Sequence, residues 1–313
     1  MDPTPALVLD AAATRGVLPF EALLDALSSA AFELAAGAIS CPPRQVLTLA
    51  DGGLLLSMPA LAGDIAVHKL ISVVPHNTVA GLPVIQGQLS VLDAHSGRML
   101  LLLDGPTVTG RRTAAVSMLA LRGAGRVPQR VLLVGAGVQA RHHVDALAAL
   151  YPGVQVALTA RSADNAATLI DHARALGLDA GVVPARYEPD VVITCTSSRS
   201  PVYAEPARAG CMLIAVGAFE PAAAEIAAAT VLASALFVDD PMGARHEAGD
   251  LIQAGVDWAG VQSLLQLLQH GAPAARPVLF KSVGCAAWDL AAARVACAAG
   301  PKRQQPAAQT APG

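Results

Sequence analysis

The sequence predicts an α/β protein built from two domains. Its 313 residues exceed the usual size of a single domain. Short β-rich runs separated by turn residues fill the region from 45 to 103, whereas apolar strands alternate with helical segments from residue 130 onwards. Such alternation is typical of βαβ crossovers around a mostly parallel sheet. We therefore expect an α+β unit followed by a parallel α/β unit, with the boundary near 114–130.

Composition narrows the classes of partner. The net charge is -3, the 21 basic residues are dispersed and aromatic residues make up 3%, so no basic surface for nucleic acid is indicated. Five cysteines occur without a C-x-x-C pair or a nearby metal-ligand histidine, which suits a reducing compartment. The sequence contains no run of about 18 uncharged apolar residues, the length needed to span a bilayer. No signal peptide is apparent. The sequence predicts a cytoplasmic protein that binds a small molecule, with no metal, nucleic acid or membrane partner.

The first half begins with an amphipathic helix. Apolar residues recur at three- and four-residue steps over 19–37, with Pro19 suited to the first helical position and Gly37 to the residue after the last turn. Five strands follow, broken by Asp51-Gly52-Gly53 and His95-Ser96-Gly97, whose turn chemistry predicts a meander. These strands cover 45–49, 54–58, 66–74, 87–93 and 99–103, and a second helix covers 107–122.

The second half opens with a strand at 130–134. Further strands are predicted at 154–159, 190–195, 212–216 and 235–239, with helical segments between them. A final Ala-rich helix at 284–299 could pack back on the first domain, and the Pro-, Gln- and Ala-rich tail at 300–313 is predicted to be disordered.

A glycine-rich turn follows the strand at 130–134 and opens a helix. Its sequence is Gly135-Ala136-Gly137-Val138-Gln139-Ala140. Gly135 permits a tight turn, Gly137 lets the backbone approach a phosphate, and Ala140 replaces the third glycine where helix meets strand. The helix N-terminus supplies N–H groups and a positive dipole. This context predicts a Rossmann dinucleotide site with Gly135, Gly137, Val138 and Gln139 at the pyrophosphate.

The choice of dinucleotide is set at the end of the next strand. An acid there would bind the ribose of NAD, and an arginine would accept the extra phosphate of NADP. The strand runs into Ala160-Arg161-Ser162, with no acid before Asp164. Arg161 and Ser162 therefore favour NADPH, while NADH stays possible because Arg161 could be merely solvated. Thr196, Ser197 and Val216 follow later strands and are predicted to line the adenosine and nicotinamide pockets.

Three basic residues of the first half are candidates for binding an anion. Lys69 shares a strand face with Val67 and Ile71, so it is either an edge residue that blocks aggregation or a buried functional amine. Arg44 follows two prolines that would fix its direction, although prolines also simply end loops.

Arg111 and Arg112 are expected in the first turn of the helix beginning near Thr107. The helix dipole disfavours cations there, so at least one of them needs an anion. That anion is either a bound carboxylate or phosphate, or a neighbouring acid such as Asp104.

Seven segments taken together resemble the ornithine cyclodeaminase/mu-crystallin family, in order and over nearly the whole chain to about residue 297. They are Pro43-Arg44, His68-Lys69, Gly87-Gln88 with Leu92-Asp93, Thr109-Gly110-Arg111-Arg112-Thr113-Ala114-Ala115, the glycine-rich turn, Phe280-Lys281-Ser282-Val283-Gly284, and Asp289-Leu290-Ala291.

The resemblance implies a Rossmann dinucleotide-binding domain inserted into an α+β substrate-binding and dimerisation domain. Residues 1–114 and the helix at 282–299 form the outer domain, 115–281 form the Rossmann domain, and the assembly is a homodimer. It also implies that Arg44, Lys69 and Arg112 bind the α-carboxylate of the substrate. Thr113 and Ser282, which lie within the shared segments, join the predicted cofactor site.

One departure from the family pattern bears on the reaction. Cyclodeaminases of the family carry an aspartate after the Gly-Gly or Gly-Ala pair, and Phe219 occupies that place after Gly217-Ala218. A phenyl ring cannot accept a proton, although the adjacent Glu220 could partly substitute. We therefore expect an NADPH-preferring reductase of cyclic ketimine carboxylates, acting on Δ1-piperideine-2-carboxylate and Δ1-pyrroline-2-carboxylate. The alternatives are ornithine cyclodeaminase and a crystallin-like binding protein without turnover.

Overall fold

The computed structural model describes residues 6–50 and 52–299. Asp51 of the first predicted turn and the predicted disordered tail at 300–313 lie outside this range. No helix in the described range is long and apolar enough to cross a membrane. The helices are α1 Ala11–Gly16, α2 Phe20–Ala35, α3 Gly105–Gly123, α4 Val138–Leu150, α5 Ala163–Ala175, α6 Ala228–Ala233, α7 Pro241–Glu247, α8 Gly249–Ala254, α9 Leu264–His270 and α10 Ala286–Ala299.

The strands form two sheets. They are β1 Leu7–Val8, β2 Gln45–Thr48, β3 Leu54–Leu61, β4 Ile65–Val73, β5 Ile85–Asp93, β6 Met99–Asp104, β7 Arg130–Val134, β8 Gln155–Thr159, β9 Asp179–Val182, β10 Val191–Thr194, β11 Met212–Ala215, β12 Ala235–Val238, β13 Gln262–Ser263 and β14 Val278–Lys281. Short 3-10 helices occupy Pro75–Ala80 and Trp258–Gly260.

The first sheet has the order β1-β6-β5-β4-β3-β2. Its strands from β2 to β6 pair antiparallel with their neighbours, as the predicted meander requires. β4 alternates buried and half-buried side chains along its whole length, so one face is turned to the core. Strands β3 and β4 contact α10, which also packs on α2 and α3. Because β4 has partners on both sides, the interpretation of Lys69 as an edge residue is wrong.

The second sheet has the order β13-β12-β14-β11-β10-β7-β8-β9, and every pairing in it is parallel. The part from β9 to β11 follows the order of a Rossmann half, with a reversal between β7 and β10. β14, the last strand of the chain, inserts between β11 and β12. A crevice for a ligand therefore opens at the carboxyl ends of β7 and β10.

Helix α3 begins earlier than the sequence predicts. Its first residue is Gly105 and its N-cap is Asp104, whose carboxylate accepts a hydrogen bond from the Thr107 amide at 2.8 Å. Arg111 and Arg112 consequently lie in the second and third turns, where the helix dipole no longer decides their partners. The predicted alternative of a salt bridge to Asp104 is wrong. Helix α3 also runs without a break through position 114, the predicted end of the first domain.

Helix α2 differs from its prediction at its first residue, because Pro19 is the N-cap rather than the first helical residue. At the other end Ala36 is the C-cap and Gly37, with a φ of +73°, occupies the predicted position after the last turn. Leu23, Leu24 and Leu27 of α2 are completely buried. They belong to one apolar core that also includes residues of α3, α10 and β7, so this core joins the two sheets.

Candidate functional site

A buried carboxylate joins two of the three predicted anion-binding residues. Lys69 lies on β4, Arg112 on α3 and Asp289 on α10. Lys69 Nζ is 2.6 Å from Asp289 Oδ2, and Arg112 Nε is 3.2 Å from Asp289 Oδ1. The three residues are between 0% and 5% exposed. Two cations thus share one anion in a region shielded from water, which leaves one positive charge in excess when all three are ionised.

This environment changes the titration of Lys69. Burial lowers its pKa from 10.5 to about 8; Asp289 opposes this shift, whereas the positive charges of Arg112 and Arg44 add to it. The ammonium group therefore binds its proton much less tightly than an exposed lysine does. At neutral pH it is charged, yet it can lose its proton within the physiological range.

Arg44 reaches the same region from the chain segment before β2. Its guanidinium donates hydrogen bonds to the carbonyl oxygens of Val283, at 3.0 Å, and Gly284. Its Nε also lies 2.9 Å from Glu247 Oε1 on α7. Gly284 has a φ of +76°, and a Cβ atom there would lie 2.5 Å from Arg112 Nη1. The turn at Gly284 therefore lies between the two arginines, and all three predicted basic residues meet in one place.

Glu247 is a second carboxyl group at this site that the sequence did not single out. Burial raises its pKa to about 7; Arg44 opposes the shift, and Asp240 and Asp239 add to it. The carboxyl group therefore changes charge near neutrality, so its ion pair with Arg44 weakens as the pH falls.

Asp239 at the end of β12 shapes the turn between the arginines. It accepts hydrogen bonds from the Ser282 hydroxyl at 2.7 Å and from the backbone amides of Val283 and Gly284 at 2.9 Å. The hydroxyl of Ser282 is thus already engaged, and the predicted contact of this residue with a cofactor stays a prediction. No sequence pattern indicated Asp239, because its partners lie more than forty residues away.

The glycine-rich turn has the geometry of a pyrophosphate cradle. Gly135 has a φ of +116°, and a Cβ atom there would lie 2.7 Å from the Cys195 carbonyl oxygen, so a side chain is excluded. Gly137 is the N-cap of α4 and faces open space. Ala140 is completely buried. Gln139 Oε1 is buried without a hydrogen-bond partner among the described residues, which is consistent with a ligand binding beside it.

Glu225 ties together the two loops opposite this turn. Its carboxylate accepts hydrogen bonds from the Thr196 amide at 2.6 Å, the Thr196 hydroxyl at 2.9 Å and the Gly217 amide at 2.6 Å. The side chain is completely buried. Because Thr196 follows β10 and Gly217 follows β11, Glu225 fixes the edge of the crevice formed by both strands. The sequence did not single out this residue.

A buried ion pair between Asp250 and Lys281 holds the backbone of Glu225 in place. Asp250 Oδ1 accepts the backbone amides of Glu225 at 2.5 Å and Ile226 at 2.9 Å. Asp250 Oδ2 lies 2.8 Å from Lys281 Nζ, and both side chains are 0% exposed. The charges of Asp250 and Lys281 therefore compensate each other in the interior and hold the loop that carries Glu225.

The residues predicted to select the dinucleotide follow β8. Arg161 is exposed and makes no ion pair within the described part of the chain. Ser162 is the N-cap of α5, and its hydroxyl accepts the Asn165 amide at 3.2 Å. Of the remaining predicted cofactor residues, Ser197 is exposed, whereas Val216 and Thr113 are buried. Their contacts with a cofactor stay predictions.

Phe219 packs against the first sheet on the face of β4 that carries Lys69. Its ring packs against the cluster of Leu56, Ile71 and Val73 on the inner face of the first sheet. Ile71 is two residues from Lys69 and on the same face of β4. The loop after β11 thus covers this face with a hydrocarbon surface where a cyclodeaminase of the family has a carboxylate.

The sequence of this chain is similar to those of proteins of one known family. The model of the ornithine cyclodeaminase/mu-crystallin family matches residues 6–298. The Delta(1)-pyrroline-2-carboxylate/Delta(1)-piperideine-2-carboxylate reductase of Azospirillum brasilense is 50% identical, over 94% of this chain and 96% of that protein. The ketimine reductase mu-crystallin of Mus musculus is 30% identical, over 83% of this chain and 85% of that protein.

A solved structure shows the same fold. The Delta(1)-pyrroline-2-carboxylate reductase of Thermococcus litoralis, in complex with NADH and L-proline, superposes with a TM-score of 0.86 at 25% identity, covering 94% of this chain and 97% of that one. The Rossmann-type sheet, the basic site beside it and these similarities lead to one conclusion: the chain belongs to the ornithine cyclodeaminase/mu-crystallin family.

Proposed function

We propose that this protein is a reductase of cyclic ketimine carboxylates that converts Δ1-pyrroline-2-carboxylate to proline and Δ1-piperideine-2-carboxylate to pipecolate, with NADPH as the preferred cofactor. The observation that carries the proposal is the convergence of Lys69, Arg112 and Arg44 beside a dinucleotide cradle. The reductase from Azospirillum brasilense, 50% identical, supports the substrate class. A homodimer and the division of the chain at 114 and 281 are part of the same proposal.

The dinucleotide would be held by the turn at Gly135 and Gly137 and by the first residues of α4. The fit rests on the open space at Gly137, the helix N-terminus behind it and the unpartnered Gln139 Oε1. Arg161 and Ser162 would bind the extra phosphate of NADPH. When bound, the cofactor supplies the hydride that reduces the C=N bond at C2.

The basic residues would hold the substrate by its carboxylate. Lys69, Arg112 and Arg44 can donate charge-assisted hydrogen bonds, which fix a planar anion more strongly than neutral donors do. The positive charge in excess around Asp289 would be neutralised by the bound carboxylate. Holding the carboxylate also positions C2, and such positioning accounts for a large part of catalysis in reactions between two bound molecules.

Reduction of an imine also requires one proton on nitrogen. Lys69 is suited to relay it, because burial lowers its pKa to about 8 and so weakens its hold on the proton. The hydrocarbon surface formed by Phe219 with Leu56 and Ile71 would face the ring carbons and exclude water. No carboxylate at position 219 is available to bind the side-chain amine of ornithine, so the reductase is favoured over the cyclodeaminase.

The proposal is tested by following NADPH oxidation with each cyclic imine and the purified protein. In parallel, L-ornithine with NAD is assayed for proline and ammonia. Loss of NADPH absorbance with an imine, abolished by Lys69→Met, is the expected result. Ammonia and proline from ornithine without net change of the cofactor would show a cyclodeaminase instead. Dinucleotide binding without turnover of either substrate would indicate a binding protein.

A further inference from the structure

A second cluster of basic residues lines a pocket separate from the proposed active site. The pocket has a volume of about 450 Å³ and lies where α1 and the start of α2 meet α4 and α5. Arg15, Arg111 and Arg141 line it together with Asp145 and His172. None of the residues proposed to hold substrate or cofactor contributes to its wall.

Arg111 is the central observation. The residue is 7% exposed, and its Nε donates to the Leu18 carbonyl oxygen at 2.7 Å. Its guanidinium also stacks over the Phe20 ring, 4.0 Å from the centroid. Within the described part of the chain no carboxylate forms an ion pair with it. A buried cation without an anionic partner is costly, and Arg112, the next residue along α3, does have such a partner.

The remaining charges of the pocket do not neutralise Arg111. Asp145 is one carboxylate against three arginines, and its Oδ1 lies 2.6 Å from His172 Nε2 rather than in an ion pair with Arg111. Arg15 and Arg141 are exposed and form no ion pair among the described residues. Burial lowers the pKa of Arg111; Asp145 opposes this shift and the like charge of Arg15 adds to it. The pocket therefore carries an excess of positive charge.

We propose that this pocket binds a small anion, a phosphate or carboxylate group that carries a short apolar portion. The Nη atoms of Arg111, for which the described residues provide no hydrogen-bond acceptor, bind the charged group inside the pocket, and Arg15 and Arg141 bind it from the rim. The apolar portion lies against Phe20, Ala148 and Leu176, which line the same pocket. Arg15, Phe20 and Arg111 belong to the first half of the chain and Arg141 to the second, so the ligand bridges the two halves.

The test is calorimetric titration of n-butyl phosphate into the protein saturated with NADPH, which occupies the proposed phosphate-binding positions at Arg161. Arg15→Gln and Arg141→Gln change exposed side chains, so the variants are expected to fold. Each should weaken binding about tenfold to hundredfold, as expected for loss of one charge-assisted hydrogen bond. Arg98→Gln, an exposed arginine outside the pocket, is the matched control and should bind like the unchanged protein.

Two further comparisons separate the alternatives. A tenfold higher NADPH concentration should leave the titration unchanged; if it abolishes the signal, the phosphate occupies the cofactor site and the proposal is overturned. Equal affinity in Arg15→Gln, Arg141→Gln and Arg98→Gln also overturns it. n-Butyl phosphate should bind more tightly than inorganic phosphate because of the apolar wall, and n-pentanoate reports whether a carboxylate suffices. None of these titrations depends on turnover, so they are independent of the proposed reaction.

Discussion

The charge of Asp289 should set the pH range in which the protein is active. In the proposed reaction, Lys69 must be protonated both to bind a carboxylate and to relay a proton. Because its pKa is about 8, the kcat/KM for imine reduction should be level at neutral pH and decline at higher pH. The decline approaches about tenfold for each pH unit, as expected for loss of one essential proton in the free enzyme.

Asp289→Asn keeps the shape of the side chain and removes the anion 2.6 Å from Lys69 Nζ. Loss of an opposite charge at this distance should lower the pKa of Lys69 by a further 1 to 3 units, roughly. The decline of kcat/KM should therefore move to lower pH by about the same amount. Asp64→Asn is the matched control. Asp64 forms an ion pair with Arg294, which lies on α10 like Asp289, but this ion pair is at the surface.

The direction of this effect distinguishes it from unfolding. The folded-state pKa of Lys69, about 8, lies below its ordinary value of 10.5. The unfolded chain therefore binds more protons between these values, and the contribution of Lys69 to stability rises with pH there. Activity should fall while this contribution rises, which a comparison of urea denaturation of the unchanged protein and of Lys69→Met at each pH would show. An Asp289→Asn variant with the same pH profile as the unchanged protein would refute the reasoning.

Three further predictions concern other charges. Arg161→Gln should weaken NADPH about tenfold to hundredfold and NADH little, since one charge-assisted contact is lost; equal losses in fluorescence titrations would contradict the NADPH preference. Lys281→Met should lower the free energy of unfolding by about 3–5 kcal/mol, because Asp250 is left buried without its ion-pair partner. Arg122→Gln, which removes an exposed ion pair, is the control and should lower it by at most about 1 kcal/mol in the same denaturant titration. Glu247→Gln should lower the substrate KM several-fold above neutral pH. The pKa of Glu247 is about 7, so above this pH its carboxylate competes with the substrate for Arg44. A KM that does not change with this substitution at any pH would exclude the competition.

Local sequence was sufficient to predict the conformation of the glycine-rich turn. A strand, a turn with Gly135 and Gly137 and a helix are adjacent along the chain, so their geometry follows from short-range conformational rules. The alternation of side chains along β4 likewise predicted that Lys69 lies on the same face as Val67 and Ile71, and the structure confirms this. The family, too, could be identified from segments of the sequence, because their order and residue types are specific.

The partners of the charged residues could not be obtained in this way. Asp289 is 177 positions from Arg112, and it acts on Lys69 only because α10 packs against β4. Asp239 and Glu225 likewise accept hydrogen bonds from turns that are distant in sequence, at Ser282 and Thr196. These contacts exist only because the strands that carry the turns lie in one sheet. Even the sequence neighbours Arg111 and Arg112 point to different surroundings, one to a pocket and the other to Asp289.

The sequence by itself determined the type of each half, the turn that would bind a dinucleotide and the basic residues available to bind an anion. The tertiary structure alone decided that Lys69 lies on an internal strand rather than at an edge, that Asp289 lies between two cations and that Arg111 forms no ion pair with any of the described residues. The physical reason is that periodicity and turn chemistry depend on neighbours along the chain, whereas burial and electrostatic pairing depend on which distant elements pack together.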